Sequence, residues 1–195
     1  MKMKSMFLAA FVLAFGACGE EEEENELVGT WSGTCEVDGD SSSLSFIEVD
    51  EDIFTVGVSI YTDAACATKV QTYRYQYGYT ADGDIAFVEN ATSLDLVLAE
   101  VTAAPHTAEM VTAMNASSAF GQTDWTLDTA QGVIGFDYDG TVNEEVVGNT
   151  FYTIYNVDGS KLCFGASPSD SSSYTGETAA TRVRVLGTGT DCFTK

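Results

Sequence analysis

The stretch IFTVGVSIY, Ile53–Tyr61, alternates without a break: Phe54, Val56, Val58 and Ile60 fall on one side of an extended chain, Thr55, Gly57 and Ser59 on the other. A period of two is the signature of a strand with one buried face. The pattern recurs on both sides of it. TYRYQYGY, Thr72–Tyr79, puts Tyr73, Tyr75, Tyr77 and Tyr79 on one face and Arg74, Gln76 and Gly78 on the other, and SLDLVLAEV aligns Leu94, Leu96 and Leu98. Four Asp-Gly pairs (Asp38-Gly39, Asp82-Gly83, Asp139-Gly140, Asp158-Gly159) stand beside such segments, and this dipeptide favours tight hairpin turns. Strands are expected near residues 27–37, 44–50, 53–62, 69–80, 84–90, 93–103, 150–157, 160–166 and 181–187. One helix is expected, over Thr107–Ser117, with Met110, Val111 and Met114 on a shared face. ASPSDSSSYTGETAA reads as a loop. Eight or nine sequential antiparallel strands predict an all-β fold: a single up-and-down antiparallel β-barrel with one short helix, closed on itself so that no sheet edge is left bare. A barrel of about eight strands is either filled by its own side chains or holds one small ligand.

The N-terminus carries a different message. Lys2 and Lys4 precede an apolar run from Met6 to Phe15, then Gly16, Ala17 and Cys18, followed by five glutamates from Glu20 to Glu24. The basic, apolar, small-residue order is that of a signal peptide, and the run is shorter than the roughly 20 residues that span a bilayer. Small-small-Cys resembles the lipobox of bacterial lipoproteins, with Phe15 where leucine is usual. The resemblance implies that residues 1–17 are removed and that Cys18 is acylated. Residues 18–26 then form an acidic tether, kept extended by self-repulsion, and residues 27–195 form one domain. Similar acidic stretches follow the cysteine in some surface-exported lipoproteins. The expected location is the outer membrane, at its periplasmic face or on the cell surface.

The chain has 30 acidic and 8 basic residues; loss of Lys2 and Lys4 with the signal leaves six bases and a net charge of −24. Such a surface repels nucleic acid and anionic bilayers alike, so membrane attachment falls to the lipid alone. Four cysteines remain after Cys18, an even number that reads as two disulfides in an exported chain. Cys35 with Cys66 and Cys163 with Cys192 is the preferred pairing because each closes a local unit; the crossed pairing stays open if the terminal strands are neighbours. No CxxC spacing occurs and His106 is the sole histidine, so no zinc site or other cofactor is expected.

LVGTWSGTCEV, with Gly29, Trp31 and Cys35, followed by VSIYTDAACATKVQTYRYQYGYT with Cys66, is similar to the opening of lipocalin-like domains, in particular that of the Wnt-antagonist adenomatosis-polyposis-coli-down-regulated protein. TDWTLD, NTFYTIYNVDGSKLCFGA and TRVRVLG resemble later parts of bacterial lipocalin-like lipoproteins. The resemblance implies a barrel with a central apolar cavity for a lipid-like molecule. Trp31 is expected to plug the closed end, with Arg182 or Arg184 over its ring.

The expected ligand is a small apolar or amphipathic molecule, with Phe54, Val56, Val58, Tyr73, Tyr75, Tyr77, Leu94, Leu96 and Phe151 as wall candidates and Trp31 beside them. If the tyrosine strand is flipped, Arg74 points inward and receives a ligand carboxylate instead. The rival is a surface-exposed interaction or adhesion module whose barrel is filled. An enzyme is not expected: His106 is the only histidine base for a nucleophile, and thirty acids supply carboxylate pairs without any distinctive spacing. DYDGTVNEE offers Asp137, Asp139, Asn143 and Glu145 as oxygen ligands, but its glycine is misplaced for a calcium loop. Oligomeric state is left open by the sequence.

Overall fold

The computed structural model describes residues 25–135, 147–166 and 175–195, apart from the Asp84 side chain. The expected signal peptide, Cys18 and most of the expected acidic tether, the Asp139-Gly140 pair and the candidate calcium ligands lie outside the described residues.

Five strands come first: β1 (Gly29–Asp38), β2 (Ser41–Val49), β3 (Ile53–Tyr61), β4 (Lys69–Asp84) and β5 (Thr92–Pro105). Helix α1 (Ala108–Ser117) follows, then a two-residue strand β6 (Gln131–Gly132), β7 (Thr150–Asp158), β8 (Lys161–Phe164) and β9 (Cys192–Thr194). Each strand pairs antiparallel with its neighbour in the chain. β5 passes directly to β7 through its first half and takes on β6 in its second, and β9 joins β8 to β1, so eight strands close into a barrel with β6 as an addition. The all-β barrel with one short helix is therefore the fold.

Register decides which faces look inward. Cross-strand partners share a face, and Ile47, Val56, Tyr75 and Val101 form one continuous row. Phe46, Gly57, Arg74 and Thr102 form the next, on the opposite face. The first row is interior. In β5 the pairing slips between Gln76–Glu100 and Tyr77–Leu98, leaving Ala99 as an extra residue. That bulge lets Leu94, Leu96 and Leu98 point inward before it and Val101 and Ala103 after it, a change of parity that strict alternation would forbid.

The interior has two cores. At one end Leu27, Trp31, Ile47, Val49, Phe54, Leu94, Leu96, Tyr155, Leu162 and Phe193 are buried together. Toward the other end Tyr73, Val101 and Ala103 pack against Met114 of α1, Trp125 and Val133. Thr107 caps α1, its side chain accepting a hydrogen bond from the Met110 amide. Met114 is buried and Met110 packs on the same core, two of the three residues of the expected apolar face; Val111 is half-buried and is not part of that core.

Both disulfides join the local pairs, Cys35 to Cys66 and Cys163 to Cys192. The terminal strands β1 and β9 are indeed neighbours, yet Cys163 and Cys192 stand directly opposite each other on β8 and β9, which settles the pairing.

Two expected strands are absent. Residues 85–91 turn on themselves, with the Ile85 amide on the Ala91 carbonyl and Asn90 at φ 59°, because β4 continues to Asp84 and uses up the extended length. Residues 181–187 form no ladder. They strap the barrel where β8 is too short to cover the first half of β7: Val183 bonds Tyr152, Val185 accepts from Ala166, and Gly187 bonds Phe164. The sequence reading also missed β9. Asp38-Gly39 and Asp158-Gly159 make the expected hairpins, whereas Asp82-Gly83 lies inside β4 at a second slip of register, opposite Ser93 and Thr92.

Candidate functional site

Against the first core lies a cavity of about 240 Å³. Its floor is buried Phe54, Leu96, Ile47 and Phe193; its rim is marked by Phe151, 41% exposed, and by exposed Thr190 beside half-buried Asp191. Val56, Tyr77, Phe164, Thr153 and Gly165 complete the wall. Phe54 meets Phe164 edge to face at 5.6 Å between centroids, and Phe164 meets Phe193 at 5.9 Å, the geometry that aromatic quadrupoles favour. The result is a concave apolar surface with few polar groups, the usual character of a small-molecule site, although its volume is below the common range of about 300–1,000 Å³.

Of the wall candidates, Phe54, Val56, Tyr77, Leu96 and Phe151 line this cavity. The others do not. Tyr73 is buried in the second core and Tyr75 packs against it, the two rings 5.2 Å apart, so they fill the barrel beside the cavity. Val58 faces inward, half-buried and opposite Ser45 and Tyr73. Leu94 and Trp31 are fully buried in the first core and do not line the cavity. Arg74 points outward, so the flipped-strand alternative is excluded. Its guanidinium grips the Glu48 carboxylate through two bonds, 2.6 and 3.4 Å, and lies 5.0 Å from the centroid of the Phe46 ring. Phe46 in turn lies across Gly57, where any side chain would collide with it.

Trp31 donates from its indole nitrogen to the Leu27 carbonyl at 2.9 Å and is fully buried. The cation over its ring is Lys195, 4.4 Å from the centroid, and neither expected arginine. Arg182 instead stands over Tyr152 and pairs with Asp95 at 2.6 Å, and Arg184 stands over Phe87. The reason is topological: residues 181–187 run along β7 and β8, while the neighbour of β1 is β9. Nearby, burial first and then the carboxylates of Asp50, Asp52 and Glu51 raise the Tyr79 phenol above its ordinary value, against an opposing hydrogen bond from Asn25. Burial also raises Tyr155.

Two further constellations are polar. A concavity of about 350 Å³ on the outer face, bordered by Thr30, Glu48, Asp50, Thr55, Arg74 and Gln76, holds the Arg74–Glu48 pair. His106 bonds Thr72 Oγ1 through Nε2 at 2.8 Å and Asp128 through Nδ1 at 2.7 Å, with Ser59 Oγ 3.4 Å from Thr72. The hydroxyl–imidazole–carboxylate order is that of an activated nucleophile, but Thr72 and Ser59 are buried and neither concavity reaches them. The arrangement clasps β4 to the entry of α1 and to the loop bearing Asp128. Among the described residues no group of three or more His, Cys, Asp or Glu side chains is arranged to hold a metal ion.

The sequence reading missed Phe164, Phe193 and Asp191. The signal was the second disulfide: once Cys163 and Cys192 face each other, Leu162, Phe164 and Phe193 alternate onto the inner face. Among the described residues no helix is long and apolar enough to cross a membrane. No protein-family model matches the chain, and no curated protein matches it.

Proposed function

We propose that this is an exported, lipid-anchored binding protein of the lipocalin-like kind, in which the barrel interior receives a small hydrophobic or amphipathic ligand and Cys18 carries the membrane anchor. The observation that carries the reading is the aromatic cavity against the first core, floored by Phe54, Leu96 and Phe193 and leading to an exposed rim. A barrel serving only as an adhesive surface has no need of an unfilled interior, since each void forgoes packing energy. Part of the interior is filled by Tyr73, Met114 and Trp125 and the cavity is only about 240 Å³, so the ligand is short, or only one end of a longer amphiphile enters. The run of glutamates after Cys18 and the excess of 30 acidic over 8 basic residues support attachment by lipid and not by charge. The cysteine pairs support an oxidising compartment, and outer-membrane location follows from the lipobox resemblance.

The test is native mass spectrometry of protein purified without detergent, together with displacement of an environment-sensitive dye. A co-purified small molecule, and dye binding that falls at least tenfold in Phe54→Glu while Phe46→Glu on the outer face retains it, would uphold the reading. A dye signal indifferent to Phe54→Glu would overturn it. Anchoring is tested separately, by loss of membrane partitioning in Cys18→Ser.

A further inference from the structure

We infer that the cavity selects a positively charged amphiphile, an alkyl or aryl ammonium, with Asp191 as the residue that sets this preference. The inference rests on the binding role proposed above and adds the chemistry of the head group.

Among the residues lining the cavity, Asp191 is the one charged side chain. It is held at the rim by local structure. Residues Gly189–Asp191 make a 3₁₀ turn immediately before β9, the Asp191 amide reaches back to the Thr188 carbonyl, and Gly187 leaves the space the Asp191 side chain fills, since a Cβ there would collide with it. The Cys163–Cys192 disulfide fixes the next residue. Among the described residues Asp191 makes no ion pair, whereas Arg74, Arg182 and His106 are each committed to other carboxylates.

Around Asp191 the wall is aromatic: Phe54, Tyr77, Phe151, Phe164 and Phe193. Ring faces carry the negative end of the aromatic quadrupole and attract ammonium groups. A carboxylate at the rim and rings within it favour the same sign of ligand. A fatty-acid head group at that rim would meet Asp191 at close range in a partly desolvated setting, where like charges repel far more than in water. The strongly negative chain, −22 as a whole, adds a long-range bias in the same direction.

The test compares octylamine, octyltrimethylammonium, 1-octanol and octanoate by isothermal titration at neutral pH and about 0.15 M salt, where the diffuse field is largely screened. The two ammonium probes are expected to bind roughly tenfold more tightly than 1-octanol, with octanoate weakest. Asp191→Asn should abolish that preference, with the melting temperature and circular dichroism showing that the variant is folded. Glu36→Gln, on the exposed end of β1, should keep the preference. Octanoate binding as tightly as octylamine, or an ammonium preference that survives in Asp191→Asn, overturns the inference while leaving the binding role intact. If 1-octanol and both ammonium probes all fail to bind, the binding role falls and this inference with it.

Discussion

The two disulfides provide a matched experiment. Cys35–Cys66 spans 31 residues of sequence and Cys163–Cys192 spans 29, so their effects on the unfolded chain are nearly equal. In the chain-entropy account each loop of about 30 residues lowers the unfolded-state entropy enough to contribute about 3.6 kcal/mol at 25 °C. Replacing either pair by alanine should therefore lower the unfolding free energy by a similar amount, a large share of the roughly 5–15 kcal/mol typical of a domain. The folded state breaks the symmetry. Cys35 is on the part of β1 that extends past the core and Cys66 is in the β3–β4 loop, so that bridge secures a rim. Cys192 opens β9, a three-residue strand that closes the barrel through a single register pair with β1, Ser32 with Thr194, and carries the floor residue Phe193. Loss of the second bridge should thus raise hydrogen exchange at the Phe193 and Lys195 amides and weaken dye binding, while loss of the first spares both. Denaturant unfolding followed by tryptophan fluorescence gives the global term, and exchange mass spectrometry gives the local one. Equal exchange at β9 in the two variants, or a difference of more than about 2 kcal/mol in their global stabilities, would refute the reasoning.

Met114→Ala should cost about 2 to 5 kcal/mol, since the side chain is 4% exposed at the junction of α1 with β4 and β5, and the melting temperature will report it. Arg74→Ala should cost at most about 1 kcal/mol and leave ligand affinity unchanged, because its ion pair is more than a third exposed and lies on the outer face; a double-mutant cycle with Glu48→Gln measures the pair. Tyr79 and Tyr155 have phenols raised above their ordinary value by burial, so the folded state holds their protons more tightly than the unfolded chain does. Their contribution is full below about pH 10 and is lost as the pH rises through the higher folded-state values, which equilibrium unfolding between pH 9 and 12 would detect as a decline reduced in Tyr155→Phe.

Period-two alternation alone determined the strands β3, β4 and β5, because in an extended chain successive side chains take opposite faces of the sheet and the apolar set takes the barrel interior. The tyrosine set at 73, 75, 77 and 79 was legible as one face for the same reason; the helix was legible from its methionine spacing, and the local disulfide pairing from the proximity of each cysteine pair in sequence, while the Thr107 cap was read only from the fold. Which way the tyrosines faced was not. Sign of orientation is a property of the closed sheet, fixed when Tyr75 aligns with Val56 and Val101 and when Gly57 gives its outer space to Phe46. The bulge at Ala99 was equally hidden, since an extra residue in one strand has meaning only against its partner. Residues 85–91 and 181–187 carry the same alternating chemistry as true strands, and only tertiary competition for β7 and the length of β4 denied them ladders. Asp191 shows the limit most plainly. One aspartate among 30 acidic residues has no distinction in the chain, and it became the one charge on an aromatic cavity because β9 folds back between β1 and β8 and carries it there.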